Sequence, residues 1–230
     1  MARGCVVVLL VWVFLLGGVV SVGVADADAR RRRRVQVKPM PKSVCFRELK
    51  RLGVKYRPGK GQGIQMPVQV HGRLGGILYK SYNKKPLVLD CSLVVSLAAS
   101  GPALAQHGID EVVYSSAYQR RSIAGSRRPS QHSFGLAIDV HEFVGKRLER
   151  RVTVRNDYEQ GLGDDVNCIG APLTKQGAML KMIDCQLSLS GRFRFVLSPD
   201  YDAAHYNHFH IEALAWAKRT RASLRPRPQH

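Results

Sequence analysis

The apolar positions change period along this 230-residue chain. Residues 5–24 form an apolar run without a single charge. From residue 45 the pattern becomes that of a folded domain. Phe46, Leu49 and Leu52 recur at helical spacing over 45–54, and Gly53 ends that helix. Residues 57–67 are rich in Gly and Pro and read as loop. Short strands follow at 68–70 and 76–78, predicted to pair as a hairpin around residues 72–75. Residues 86–90 lead into a helix over 92–106, with Leu93, Val94, Leu97, Ala98 and Leu104 on its apolar side. Gly101-Pro102 is predicted to break or end it, because proline removes a helical donor. A strand at 111–115 precedes a basic loop over 117–131 containing Arg120, Arg121, Arg127 and Arg128. Residues 136–141 alternate, with Leu136, Ile138 and Val140 on one face and Ala137, Asp139 and His141 on the other. Further strands are expected at 151–154, 193–197 and 209–211. A helix is expected at 175–186, where Met179, Leu180, Met182 and Ile183 fit its period. Residues 199–206 read as loop, and no internal repeat is visible.

The ends of the chain differ from this pattern. Arg3 before the apolar run and Ala25-Asp26-Ala27 after it form a secretory signal, residues 1–27, with an Ala-x-Ala cleavage site. The rival reading is an uncleaved membrane anchor, since about 20 apolar residues span a bilayer. Five arginines at 30–34 open a basic linker, residues 28–43. The domain proper is assigned to 44–218 and a basic tail to 219–230. Apolar residues make up 45% of the chain, enough for one real core. The formal charge of +19 calls for an anionic partner. A nucleic-acid partner is disfavoured, because few aromatics interleave the basic residues and no recognition motif is present. An anionic cell envelope explains the charge with fewer assumptions. Cys5 lies in the apolar run; Cys45, Cys91, Cys168 and Cys185 remain, an even number that suits an exported, oxidised chain. Proximity favours Cys45–Cys91 and Cys168–Cys185 among the three possible pairings. No Cys-x-x-Cys spacing marks a zinc finger or a redox site.

Chemistry concentrates in two short stretches. One is Ser130-Gln131-His132-Ser133-Phe134-Gly135-Leu136-Ala137-Ile138-Asp139, the other His205-Tyr206-Asn207-His208-Phe209-His210. Two imidazoles and a carboxylate are a common ligand set for a catalytic zinc whose fourth position stays open to water. His132 and Asp139 are seven apart, which suits a loop ligand followed by a strand ligand, with Gly135 turning the backbone between them. His208 and His210 project to one face of a strand. One of the pair completes the set, and the other is free to act on substrate. Glu212 shares that face and is either an acceptor for a ligand imidazole or an ordinary surface carboxylate. His141, two beyond Asp139, can face the same site. Arg121 or Arg120 could grip a substrate carboxylate; the plainer alternative is a solvated basic loop. His71 and His107 have no evident partners.

The run Ser130-x-His132-x-x-Gly135-x-Ala137-x-Asp139 with His208-x-His210 resembles the zinc peptidases of the D-alanyl-D-alanine carboxypeptidase, lysostaphin and hedgehog superfamily. More closely, the chain resembles the bacterial extensin-like C-terminal domain family. That likeness rests also on Pro86-Leu87-Val88-Leu89-Asp90-Cys91, Ser116-Ala117-Tyr118, Val196-Leu197-Ser198-Pro199 and His205-x-x-His208-Phe209-His210. The resemblance implies an α+β fold in which a small antiparallel sheet carries the ligands, with helices packed on one side. It implies His132, Asp139 and His210 as zinc ligands and His208 as the catalytic histidine. His205 would lie beside the ligands or touch substrate, and Arg121 would join the catalytic set. It further implies an exported, zinc-dependent peptidase acting on peptidoglycan stem peptides or cross-links. A non-catalytic wall-binding module and a basic polyanion binder are the rival classes. The chain departs from the family pattern in two places. Arg120-Arg121 stands where the family has Cys-Arg, and Gly61-Gln62 where it has Gly-Cys.

Overall fold

The computed structural model describes residues 40–162, 168 and 170–213. The signal segment, most of the basic linker and the basic tail lie outside the described residues. Fourteen elements follow one another: α1 (Lys42–Arg51), β1 (Tyr56–Pro58), β2 (Pro67–Val70), β3 (Arg73–Leu74), β4 (Ile77–Ser81), β5 (Val88–Asp90), α2 (Cys91–Gln106), β6 (Glu111–Ser116), β7 (Ala137–Val144), β8 (Val152–Thr153), α3 (Val154–Asp157), α4 (Lys175–Leu189), β9 (Phe193–Leu197) and β10 (Phe209–Ala213). The fold is mixed α+β. Its main sheet has the order β3-β4-β6-β7-β10-β9, with β8 on β7, and a small sheet has the order β1-β2-β5. Pairing is antiparallel except between β4 and β6, which run parallel because α2 crosses between them. The sheet is therefore larger than expected and not wholly antiparallel. No helix among the described residues is long and apolar enough to cross a membrane.

Alternation decides what each face of the sheet does. Tyr79, Val112, Val140 and Ile211 meet Leu97 and Leu104 of α2 and Leu187 of α4 around one small internal gap, so both helices cover the same face. Asp139 and His210, one residue along from Val140 and Ile211, point to the other face. Cys45 of α1 is bonded to Cys91 at the start of α2, and Cys168 to Cys185 of α4, the pairing that sequence proximity favours. Asp90 caps α2 by accepting from the Ser92 amide at 2.9 Å, and its other oxygen accepts from the Met66 amide at 2.9 Å.

Two expectations fail for identifiable reasons. The residues at 68–70 and 76–78 do not form a hairpin. β2 pairs with β1 and β5 in the small sheet, and the hairpin is instead β3–β4, turning at Gly75-Gly76. Helix α2 is not broken at Pro102. Proline leaves the Ala98 carbonyl without its helical donor, and the Gly75 backbone packs directly against that carbonyl and against Gly101. A side chain at Gly75 or Gly101 would collide there, so two glycines let turn and helix touch while the helix runs on. At 151–154 the strand covers only Val152 and Thr153, and α3 begins at Val154.

Candidate metal centre

Register places the first two side chains. β10 pairs antiparallel with β7 so that His210 sits opposite Asp139. His132 arrives from a 3-10 turn over Gln131–Phe134. Ser130 opens the turn by accepting from the His132 amide, and Gly135 closes it in the left-handed region at φ 63°. A Cβ on Gly135 would press on the Asp90 amide, which donates to the Gly135 carbonyl at 2.9 Å. Ser133 accepts from the Arg121 amide at 2.9 Å and so holds the basic loop beside the turn. The serines and glycine of the motif thus position its histidine.

His132 is fully buried, and Asp139 and His210 nearly so. Nε2 of His132 lies 3.1 Å from Oδ1 of Asp139 and 3.3 Å from Nδ1 of His210, and the last two atoms are 2.8 Å apart. Together these three residues form a group whose ligand atoms converge within 4.8 Å. In a tetrahedral site with bonds of about 2.0–2.1 Å, ligand atoms are about 3.3 Å apart. The observed triangle is slightly tighter than that, so the donor set fits a zinc ion with small adjustment.

The surrounding hydrogen bonds fix which atoms face inward. Nδ1–H of His132 donates to the Ala117 carbonyl at 2.7 Å, which turns Nε2 toward the centre. This is the role of the Ser116-Ala117-Tyr118 stretch. His210 uses Nε2 toward Glu212 Oε1 at 3.3 Å and Nδ1 toward Asp139. Arg194 in turn lies 3.6 Å from Oε2 of Glu212. Glu212 therefore faces a proposed ligand and not open solvent. Burial alone would push His210 down, but its hydrogen bonds to Asp139 and Glu212 outweigh that and raise it from 6.5 to about 9. Burial likewise pushes the Asp139 carboxyl up, and the hydrogen bonds from His132 and His210 overcome it, holding Asp139 well below the usual carboxylate range.

His208 stands apart from the triangle. Its Nε2 is 3.6 Å from Asp139 Oδ1, while Nδ1–H donates to Asn207 Oδ1 at 2.8 Å. Burial lowers its pKa to about 4, so at neutral pH it is an unprotonated base aimed at the centre. His205 donates through Nδ1 to Asp202 at 2.6 Å, and its ring lies 5.6 Å from that of His210. His141 also reaches the site, stacked on His208 at 5.2 Å and bonded to Ser115 at 2.8 Å. Arg121 bonds Oδ2 of Asp139 at 3.0 Å, while its side chain stays 42% exposed. Arg120 turns away to Gln62, 2.6 Å distant. His107 bonds Gln186 at 2.9 Å, remote from the centre in sequence and on another element. Sequence reasoning missed Asn207 and Asp202, which orient His208 and His205. Their signal was adjacency to the His-rich stretch.

The model for the extensin-like protein C-terminus matches residues 43–222. The chain belongs to that family. The match takes in every member of the histidine and aspartate centre and both disulfides. No curated protein and no solved structure matches the chain.

Proposed function

We propose that this extensin-like chain is an exported, zinc-dependent peptidase of the D-alanyl-D-alanine carboxypeptidase, lysostaphin and hedgehog type, acting on peptidoglycan stem peptides or cross-links. The observation that carries the reading is the convergence of His132 Nε2, Asp139 Oδ1 and His210 Nδ1, with His208 Nε2 3.6 Å from Asp139 Oδ1. These three atoms would hold the zinc. A bound zinc supplies Lewis acidity, polarising a carbonyl and acidifying water. The disulfides suit an oxidising, exported location, and the charge of +19 suits an anionic envelope polymer.

The chain's own residues perform the remaining tasks. Arg121 on Oδ2 of Asp139 turns Oδ1 toward the two imidazoles, and its exposed edge remains available to a substrate carboxylate. Ala117 and Glu212 hold their histidines in orientation. Hydrolysis bonds the water oxygen to the carbonyl carbon and breaks the C–N bond, with one proton ending on the leaving amine. His208 Nε2 is placed to take that proton from water and deliver it to the amine, and Asn207 fixes the tautomer that makes this possible. His205, beside His208 and His210, faces the substrate side.

Digestion of purified sacculi tests this reading. The zinc-loaded wild type should release peptides by amide cleavage, and His208→Ala should keep its zinc and lose the activity. A wild type that binds sacculi but cuts no wall chemistry would replace the peptidase with a wall-binding module.

A further inference from the structure

The histidines outside the metal triangle belong to a longer row of rings. Tyr82 meets His141 edge-on at 5.5 Å, and His141 stacks on His208 at 5.2 Å. His208 lies 5.2 Å from His205, and His205 meets Tyr201 edge-on at 5.5 Å. Five rings from three separate segments therefore form one ladder, with His208 in the middle. The two end rings are exposed, Tyr82 at 47% and Tyr201 at 57%. The three histidines between them are half-buried. Tyr82 is held in place by its hydroxyl, which donates to Glu142 at 2.6 Å. Next to the Tyr201 end, Arg155 lies over the exposed Tyr206 ring at 5.8 Å.

Exposed aromatic rings beside a polar site offer a ligand large, rigid contact surface. Here they flank the proposed base on both sides, and the ladder is open at each end. A site that removes only a terminal residue has one side closed, whereas both arms of this ladder end in exposed rings.

Resting on the peptidase reading above, we infer that the site binds an extended, cross-linked peptide across both arms of the ladder, with Tyr82 and Tyr201 as the end platforms, and cuts an internal amide opposite His208. The substrate class is a bridged peptide with units on both sides of the cut, and the mode is endopeptidase. Tyr82 and Tyr201 are specificity-determining residues that contact substrate by stacking, not through their hydroxyls.

Calorimetric titration with two probes tests this, a cross-linked muropeptide dimer and an uncross-linked stem pentapeptide. The proteins are the zinc-loaded wild type, Tyr82→Ala, Tyr201→Ala and the corresponding Phe variants, with products followed by mass spectrometry. The wild type should bind the dimer more tightly than the pentapeptide. Each Ala variant should lose about 3- to 10-fold in dimer affinity at unchanged zinc content. Each Phe variant should restore it, since the ring is kept and only the hydroxyl is lost. Dimer cleavage by wild type and both Ala variants with equal affinity would overturn the ladder and leave the peptidase standing. Ring-dependent dimer binding without any cleavage would overturn the peptidase and leave the ladder. Removal of a terminal residue alone, or no binding of either probe, would overturn the inference.

Discussion

The two faces of the main sheet are built from the same strands and do opposite work. On β7, Val140 faces α2 and α4 while Asp139 faces the imidazoles; on β10, Ile211 and His210 divide in the same way. The apolar face is held by burial, whose contribution grows with area and tolerates small shifts. The polar face depends on three atoms held near 3 Å from one another and on the hydrogen bonds behind them. A one-residue slip in register would exchange the two sets and destroy both. The stable face thus fixes the register that the chemical face requires.

Three substitutions or conditions separate the faces, in order of expected effect. Phe143→Ala empties a fully packed position on the apolar side and should cost about 3–5 kcal/mol in urea unfolding. Zinc affinity of the fraction that stays folded should be unchanged; a parallel loss of zinc would show that the faces are not separable. On the other face, Glu212→Ala frees Nε2 of His210 from its acceptor and should weaken zinc binding by about 10- to 100-fold with little change in unfolding midpoint. Glu212→Gln should fall between this variant and wild type, because its amide oxygen can still accept.

The third is a pH effect. In the metal-free protein His210 is raised from 6.5 to about 9. A raised histidine contributes stability that is complete below about pH 6.5 and is lost as pH climbs through about 9. Metal must displace that proton, so zinc affinity should rise with pH by up to about tenfold per unit below about 9. Zinc affinity that stays flat between pH 6.5 and 8.5 would show that His210 carries no proton for the metal to displace.

The centre was legible in the sequence because its residues are chemically particular. His132, Asp139 and His210 are of types that converge for few other reasons, and the alternation over 136–141 already put Asp139 opposite its aliphatic neighbours. Strands β9 and β10 were legible for the same reason. The hairpin was not, because Gly72, Gly75 and Gly76 all permit a turn, and only packing of Gly75 against α2 selects one. Pro102 misled because its local cost is accepted where a glycine backbone meets the unpaired carbonyl. Tyr82 and Tyr201 were invisible as partners, since only the fold brings residues so distant in sequence to the two ends of one row of histidines.

Metal analysis of the purified chain tests the central claim most directly. Wild type and His208→Ala should each carry about one zinc, and His132→Ala and His210→Ala should carry none. Full zinc in His210→Ala, or its loss in His208→Ala, would contradict the division between the three ligands and the base beside them.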